Sequence, residues 1–491
     1  MGNHIKYVIK GIILTAIILF LLMAVNRVLV PKFYYDDTWP TTTGYRGFYQ
    51  MDKDSIDVLF LGSSHATASF NPQYMYDAYG IRSYNLGGEQ QSMLASYYWL
   101  KEALKTQNPS VVILDTTFVF QYMKYEPLNC EESATRKAID AMKWSGNKLD
   151  AIRDVCEIDD KQEINSYLFP NIRFHERWMN LVQNDFKAGA MEKHYELKGY
   201  VPLGNHCGND WYAPYNMGET EELFEAYPVM MGYLDRIAQT CKASGITLIL
   251  TNAPTTMADI TKYNTITNYA TSNGLVYIDY NESGIYYSTG LVFADDMNDD
   301  DHANIWGSEK ITSHMANLLL ENGLVQVQSD EQWGQTADYY ANLKNNYNLK
   351  NIWDIFEYID AINNERYTTV MAVNYDGTFF MTEDVLEKFK TLGIQMDIML
   401  KDGSYIAVIQ DGCTEEQVDM KPINLKTMTA NGREMLDITS AGGGENANMC
   451  SIKVGEEEKA ANQIGLNIVV YDNETMRVLD SLWYTTGIFR Y

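Results

Sequence analysis

The sequence predicts an α/β protein: a doubly wound, mainly parallel sheet of the flavodoxin-like, three-layer kind, with a transmembrane helix before it and a β-rich α+β domain after it. Three observations support this prediction. Short apolar runs suited to buried parallel strands alternate with stretches of helical periodicity. An uncharged apolar run lies near the N-terminus, and after about residue 327 the pattern changes to short strands around one helix.

The strands predicted for the first domain are 56–61, 111–114, 246–251 and 275–279, and the helices are 89–104, 229–243 and 309–320. Residues 130–215 interrupt this alternation and are predicted to be a largely helical insertion. In the second domain we predict strands at 367–373, 394–400, 405–409, 466–470 and 478–483 and a helix at 382–392. The predicted boundaries are 1–32 for a cytoplasmic tip and anchor and 33–53 for a stalk. The first domain is predicted at 54–327, a linker at 328–350, and the second domain at 351–491.

Charge and hydropathy restrict the partners of the chain. Its formal net charge of -27 disfavours nucleic acid, because a polyanion is repelled. Residues 11–25 carry no charge, and with their neighbours they reach the roughly 20 residues that span a bilayer. Lys6 and Lys10 precede this run, so we expect a single-pass protein of the cell membrane with its domains outside the cytoplasm. A cleaved signal peptide is the alternative, although no small-residue cleavage site follows the run.

The six cysteines have no C-x-x-C or other zinc spacing, so no zinc site is predicted. Disulfides and free buried thiols both stay open. We predict no metal and no cofactor.

A candidate nucleophile follows the first strand. The run 56–61 leads directly into Gly62, Ser63 and Ser64, which places a hydroxyl at the carboxyl end of a parallel strand, where α/β sheets bind ligands. Gly62 permits a tight turn, and the amide of Ser64 is available to an oxyanion. Ser64 could instead simply cap a helix.

A candidate base lies at the other end of the first domain, where Asp299 precedes His302 by three residues. In a turn, this spacing lets the carboxylate orient the imidazole while the other ring nitrogen accepts the serine proton. The acidic run 295–301 could instead be a calcium loop, but Asp301 stands where an EF-hand needs glycine and Gly307 where it needs glutamate. We therefore expect a solvated acidic loop around His302.

These two motifs, G-x-S after the first strand and D-x-x-H-x-N-x-x-G at 299–307, resemble the first and last blocks of the SGNH (GDSL-like) hydrolases, over about residues 54–325. Within that family the resemblance is closer to membrane-anchored cell-envelope members, such as the teichoic-acid D-alanylation and alginate O-acetylation proteins. The resemblance implies a Ser64 acyl-enzyme, with His302 as base and Asp299 as its partner. An α/β-hydrolase elbow is a weaker fit, because Ala66 replaces the last glycine of G-x-S-x-G.

The middle blocks match less closely. The segment Asn85-Leu86-Gly87-Gly88 resembles the block whose glycine amide lines the oxyanion hole, so Gly87 and Gly88 both stay candidates beside the amide of Ser64. The G-x-N-D block is missing, and residues 115–117 read Asp-Thr-Thr where it is expected. A similar triplet at 208–210 lies in the insertion, and we interpret it as a coincidence.

The second domain resembles the interleukin-like epithelial-mesenchymal-transition inducer domain at residues 369–373, 404–412, 465–472 and 478–481. Some relatives of that domain recognise sugars, so the resemblance implies carbohydrate binding, and a β-rich spacer or protein-binding module is the alternative. Together the resemblances predict an extracytoplasmic serine acyl esterase or O-acyltransferase that acts on cell-envelope or other extracellular polysaccharide, with a membrane-embedded protein as a candidate acyl donor. The competing hypothesis is a non-catalytic glycan-binding scaffold.

Overall fold

The structure is a computed structural model that describes residues 2–30, 41–181, 183–186, 197–378, 381–395, 400–443 and 449–490. The chain divides into two compact units, Met1–Tyr340 and Ala341–Tyr491. The strands of the first unit are β1 Val58–Leu61, β2 Ser83–Asn85, β3 Val111–Asp115, β4 Thr247–Asn252 and β5 Val276–Asp279.

The helices are α1 Gly2–Leu29, α2 Thr41–Phe48, α3 Ser64–Ser69, α4 Pro72–Tyr79, α5 Met93–Ala103, α6 Glu132–Ala141, α7 Gly146–Ile158, α8 Ile164–Leu168, α9 Asn171–Phe174, α10 Pro228–Ala243, α11 Ile260–Asn273, α12 Ser283–Ser288, α13 Phe293–Asp296, α14 Ile305–Glu321, α15 Glu331–Gly334, α16 Ala337–Leu349, α17 Ile355–Ile362 and α18 Glu383–Lys390. Single 3-10 turns lie at Thr117–Val119, His175–Asn180 and Gln183–Phe186. Helices α6 to α9 occupy the crossover from β3 to β4, within the predicted insertion, and residues 187–196 of that insertion lie outside the described residues.

The sheet of the first unit is parallel throughout, with the strand order β2-β1-β3-β4-β5. Successive residues of β1 enter the cores on opposite faces: Leu59 and Leu61 pack in one hydrophobic cluster, and Val58 and Phe60 in the other. Burial on both faces explains why the central strands β1 and β3 consist almost entirely of apolar residues. The fold class predicted from the sequence is confirmed. The strand order reverses between β1 and β3, which is where such sheets bind ligands.

The segment predicted to be a stalk is partly built into this core. Residues 41–48 form α2, and the rings of Tyr45 and Phe48 are buried. Tyr45 stacks on Trp99 with ring centroids 4.5 Å apart. The aromatic residues that we interpreted as a stalk therefore include two that pack against the domain. Residues 33–40 of the predicted stalk lie outside the described residues.

The second unit is a ten-stranded sheet with the path β12-β11-β10-β6-β13-β14-β15, in which β7 pairs with β6 and β8, and β9 pairs with β10. Its strands are β6 Tyr367–Tyr375, β7 Ser404–Gln410, β8 Cys413–Asp419, β9 Ile423–Met428, β10 Met435–Gly442, β11 Met449–Val454, β12 Glu457–Glu458, β13 Gly465–Asp472, β14 Arg477–Tyr484 and β15 Ile488–Arg490. Tyr358 of α17 and Phe389 of α18 pack in one cluster with Met371 of β6. Most of the strand predicted at 394–400 lies outside the described residues.

Candidate active site

Ser64 is the first residue of α3, at the carboxyl end of β1. The chain turns between strand and helix at Gly62, whose φ is 138°. A Cβ at Gly62 would lie 2.5 Å from the Cβ of Asp115, closer than side-chain atoms approach one another. Glycine is therefore required here both by the backbone conformation and by the proximity of β3. The turn holds Ser64 at the switch point of the sheet.

Asp115, the last residue of β3, fixes this turn. Its Oδ2 accepts hydrogen bonds from the amide and the hydroxyl of Ser63 at 3.1 and 2.6 Å. Its Oδ1 accepts from the amide and the hydroxyl of Thr117 at 3.1 and 2.7 Å. Four donors thus satisfy a fully buried carboxylate. Asp115 stands where the G-x-N-D block is expected. It links the turn after β1 to β3, and as a carboxylate it cannot donate a hydrogen bond as the asparagine of that block can.

The structure brings the three predicted catalytic residues together. His302 Nε2 lies 2.9 Å from Ser64 Oγ, and His302 Nδ1 lies 2.8 Å from Asp299 Oδ1. An ionised carboxylate only accepts, so Nδ1 carries the proton and Nε2 is the acceptor that faces the serine hydroxyl. This tautomer is the one in which the imidazole can act as a base toward Ser64.

Asp299 is held ionised by its surroundings. Burial raises the pKa of its carboxyl, but the hydrogen bond from His302, the charge of that imidazole when it is protonated, the amide of Asp301 and the side chain of Asn298 outweigh burial and bring that pKa well below its usual range. Oδ1 accepts from the amides of Asp301 and His302 at 2.9 and 3.0 Å, and Oδ2 accepts from Asn298 at 3.0 Å. The carboxylate therefore stays negative while the imidazole changes charge.

The rest of the D-x-x-H-x-N-x-x-G motif anchors this loop to α14. Asn304 caps the helix, because its Oδ1 accepts from the amides of Trp306 and Gly307 at 3.1 and 3.0 Å. A Cβ at Gly307 would lie 2.1 Å from the carbonyl oxygen of Asp296. The asparagine and the glycine of the motif thus position the loop that carries His302.

The other carboxylates of the acidic loop have separate partners. Asp296 is buried, and its Oδ2 accepts from Lys310 Nζ at 2.6 Å and from the Val292 amide at 2.7 Å. Asp301 Oδ1 accepts from the Thr255 hydroxyl at 2.6 Å, which ties the loop to the segment after β4. In the ranges that the structure describes, no three His, Cys, Asp or Glu side chains converge as metal ligands.

The predicted oxyanion donors are not equivalent. The amide of Gly87 donates to Asn85 Oδ1 at 3.0 Å, and the amide of Gly88 donates to the carbonyl of Gly62 at 3.0 Å. Both glycine amides are therefore engaged, that of Gly87 by the side chain of Asn85 and that of Gly88 by the turn after β1. Within the described part of the chain, the amide of Ser64 has no such acceptor, so it is the predicted donor left free for an oxyanion.

Asn209, which we interpreted as part of a coincidental match, lies beside the acidic loop. Its Nδ2 donates to Asp300 Oδ1 at 2.9 Å. The neighbouring amides of Cys207 and Gly208 donate to the carbonyls of Met297 and Ala294. This part of the insertion therefore supports the loop that carries His302, a contact that no local pattern in the sequence indicates.

His65 is a feature of the site that the sequence did not single out. It is 3% exposed, and its ring centroid lies 5.4 Å from that of His302. Burial lowers the pKa of His65. Its Nδ1 is buried and has no hydrogen-bond partner among the described residues. The neutral imidazole of His65 thus packs beside that of His302. In the sequence, only the position of His65 directly after Ser64 indicated that it belongs to the site.

A crevice opens at the carboxyl ends of β3 and β4, on the edge of the sheet that carries Ser64. Its lining includes Thr117, Asn252, Thr255, Lys262 and Tyr277. Thr117 is bonded to the buried aspartate that fixes the nucleophile turn, and Thr255 to the loop that carries the candidate base. The crevice is therefore joined through one side chain each to the turn that carries Ser64 and to the loop that carries His302.

No family model matches the chain, and no curated protein matches it. Among the solved structures that are similar to it, two each have 12% identity and a TM-score of 0.27. One is a provisionally assigned lipolytic protein of the G-D-S-L family from Desulfitobacterium hafniense, and the similarity covers 53% of this chain and 98% of that one. The other is a provisionally assigned acylhydrolase from Bacteroides fragilis, with 57% and 94% covered. Similarity this low carries no inference about activity, so the chemistry of the site is inferred from its own geometry.

Proposed function

We propose that the protein is a serine ester hydrolase or O-acyltransferase that works through an acyl-enzyme on Ser64. The observation that carries this proposal is the continuous hydrogen-bonded relay from Ser64 Oγ through His302 to Asp299. A hydroxyl, an imidazole in the required tautomer and an ionised carboxylate in this order are the components of nucleophilic acyl transfer. Ser63 already caps α3 through its hydroxyl, so a capping role for Ser64 is not needed.

The reaction follows from the donors and acceptors. His302 Nε2 takes the proton from Ser64 Oγ as that oxygen attacks the carbonyl carbon of an ester, and the developing oxyanion faces the Ser64 amide. The intermediate collapses, His302 returns the proton to the departing alcohol, and an acyl-serine remains. His302 then deprotonates water or a sugar hydroxyl, whose oxygen attacks the acyl carbon and restores Ser64. Asp299 stabilises the imidazolium in both halves.

We further propose that α1 is a retained anchor that places both units outside the cytoplasm. The helix is long and apolar enough to cross a membrane over Ile5–Leu29, and its most apolar stretch of 18 residues has a mean hydropathy of 2.7 and is not buried in the protein. A cleaved signal sequence has the same properties. Alkaline extraction of membranes and the mass of the mature protein separate the two: a retained span resists extraction and keeps the N-terminus.

We propose a glycan as the acyl acceptor or substrate, held by the second unit. That unit has an open cavity of about 480 Å³ whose lining includes Lys350, Lys459, Asp480, Ser481 and Arg490. Charged and hydroxyl groups side by side supply the donors and acceptors that bind sugar hydroxyls. A membrane-embedded acyl donor would suit the transferase reaction at an anchored enzyme.

The test is release of acetate from p-nitrophenyl acetate and from acetylated glycans by the full-length protein in detergent. Ser64→Ala and His302→Ala are compared with His175→Ala, a histidine that is exposed on the insertion. Turnover lost in the first two variants and kept in the third supports the relay. Equal activity in all four proteins contradicts it.

A non-catalytic scaffold is the second candidate, and the engaged amides of Gly87 and Gly88 favour it, since they leave a single predicted oxyanion donor free. A fluorophosphonate probe distinguishes the two functions. Labelling of the wild type that disappears in Ser64→Ala identifies a working nucleophile. A wild type that is neither labelled nor active points to the scaffold, and labelling that persists in Ser64→Ala excludes the assignment of Ser64.

A further inference from the structure

The helical insertion carries exposed apolar side chains in a short stretch of chain. Six of them, each between 38% and 67% exposed, define what we term the insertion patch: Leu168, Phe169, Ile172, Trp178, Met179 and Phe186. Clusters of large exposed apolar side chains mark binding surfaces in proteins that are otherwise polar outside. We infer that the insertion patch lies in the headgroup layer of the same membrane that α1 crosses, an inference that rests on the proposed membrane span.

The position of the patch relative to α1 carries this inference. Arg177 Nη1 donates to the carbonyl oxygen of Leu29, the last residue of α1, at 2.7 Å. The same guanidinium donates from Nη2 to the buried Asp185 at 2.8 Å. A cation at a helix C-terminus satisfies carbonyls that have no partner within the helix. Arg177 of the insertion therefore caps the C-terminus of α1. Trp178 and Met179 follow Arg177 directly in the same 3-10 turn.

The exposure of α1 shows where the bilayer ends. The large apolar side chains of α1 are exposed from Ile5 to Val25, and Leu29 is buried. The 25 residues Ile5–Leu29 extend about 37 Å at 1.5 Å per residue, somewhat longer than a hydrocarbon core of roughly 30 Å. The last turn of α1 therefore lies at the interface, and the side chains beside Arg177 lie at the same level.

The composition of the patch fits this layer. Tryptophan, phenylalanine and methionine next to arginine are typical of surfaces that enter the boundary between headgroups and acyl chains. The occupant is lipid rather than another protein because the patch is attached to the end of a membrane-spanning helix. Its guanidinium neighbours Arg173 and Arg177 are paired with Asp140 and Asp185, so the contact depends on apolar insertion and little on anionic lipid.

Tryptophan quenching tests this inference on the full-length chain. The protein is reconstituted into phosphatidylcholine vesicles whose acyl chains are brominated close to the headgroup, and the fluorescence of wild type, Trp178→Phe and Trp211→Phe is compared with that in unbrominated vesicles. Trp178 and Trp211 are 67% and 71% exposed, so the second variant is a matched control. We expect Trp178→Phe to lose a clear share of the bromine-dependent quenching and Trp211→Phe to lose none.

Bromine near the chain ends should quench Trp178 less than bromine near the headgroups. Equal quenching in wild type and Trp178→Phe overturns the inference, and then the patch faces water or a protein. Alkaline extraction of the same vesicles reports separately on α1. A chain that resists extraction while Trp178 stays unquenched leaves the anchor intact and rejects only the contact of the patch.

Discussion

Replacing Asp299 with asparagine isolates the charge of the relay while keeping its shape. The amides of Asp301 and His302 still donate to the new Oδ1, which keeps the side-chain oxygen in place to accept from His302 Nδ1, but the imidazolium formed during the reaction then has a neutral partner. Hydrogen bonds to charged groups contribute about 1.5–3 kcal/mol, which corresponds to a fall in kcat/KM of roughly 10- to 150-fold. Stability should change little, because the Asp299 side chain is 44% exposed.

The assay is kcat/KM for p-nitrophenyl acetate with the full-length protein, together with thermal unfolding of each variant. Asp300→Asn is the matched control, since Asp300 adjoins the same turn and pairs with Asn209 instead of His302. We expect Asp299→Asn to be impaired and Asp300→Asn to stay near wild type. Equal losses of kcat/KM in both variants would show that the negative charge of the whole acidic loop, and not Asp299 alone, supports the reaction. No loss in Asp299→Asn would refute the role of the Asp299 carboxylate.

Three further predictions concern the nucleophile turn. Gly62→Ala should unfold at a clearly lower temperature than wild type, because its Cβ would collide with β3, whereas Gly146→Ala, where a Cβ meets nothing within 4 Å, should not. Ser63→Ala should lose about 1 kcal/mol or more in denaturant unfolding, since the variant removes a helix cap and one donor to the buried carboxylate beneath it. Burial lowers the pKa of His65, so below the ordinary histidine pKa of 6.5 the unfolded chain takes up a proton there before the folded protein does. The free energy of unfolding should therefore fall as the pH drops below 6.5. His65→Gln should reduce this pH dependence in calorimetry.

The sequence was most informative where local chemistry dominates. Apolar runs located four of the five parallel strands to within a residue or two, and the fold class was predicted correctly from their alternation with helices. Ser64, Asp299 and His302 could be singled out because a strand end and a turn each need particular residue types. Their catalytic roles stay predictions until the variants are measured.

Features that depend on distant contacts were missed. Whether Gly87 or Gly88 has a free amide is decided by Asn85 and the turn at Gly62, and neither contact has a periodic signature. Several strands of the second unit were not predicted. One of them, β8, reads Cys-Thr-Glu-Glu-Gln-Val-Asp; most of its residues are polar, and four of the seven are exposed. Such a strand is specified by pairing with β7, which a single sequence does not reveal.

The separation of Ser64 and His302 along the chain has a consequence for how the protein is made. The two residues whose side chains meet at 2.9 Å are 238 positions apart, near opposite ends of the first unit. A chain that emerges N-terminus first exposes its serine long before the imidazole exists to activate it. On the proposed mechanism, acyl transfer cannot begin on a nascent chain, because His302 reaches Ser64 only after the segment that leads into α14 has packed against α3. Because this contact joins distant parts of the chain, we expect the Ser64–His302 pair to form only late in the folding of the first unit.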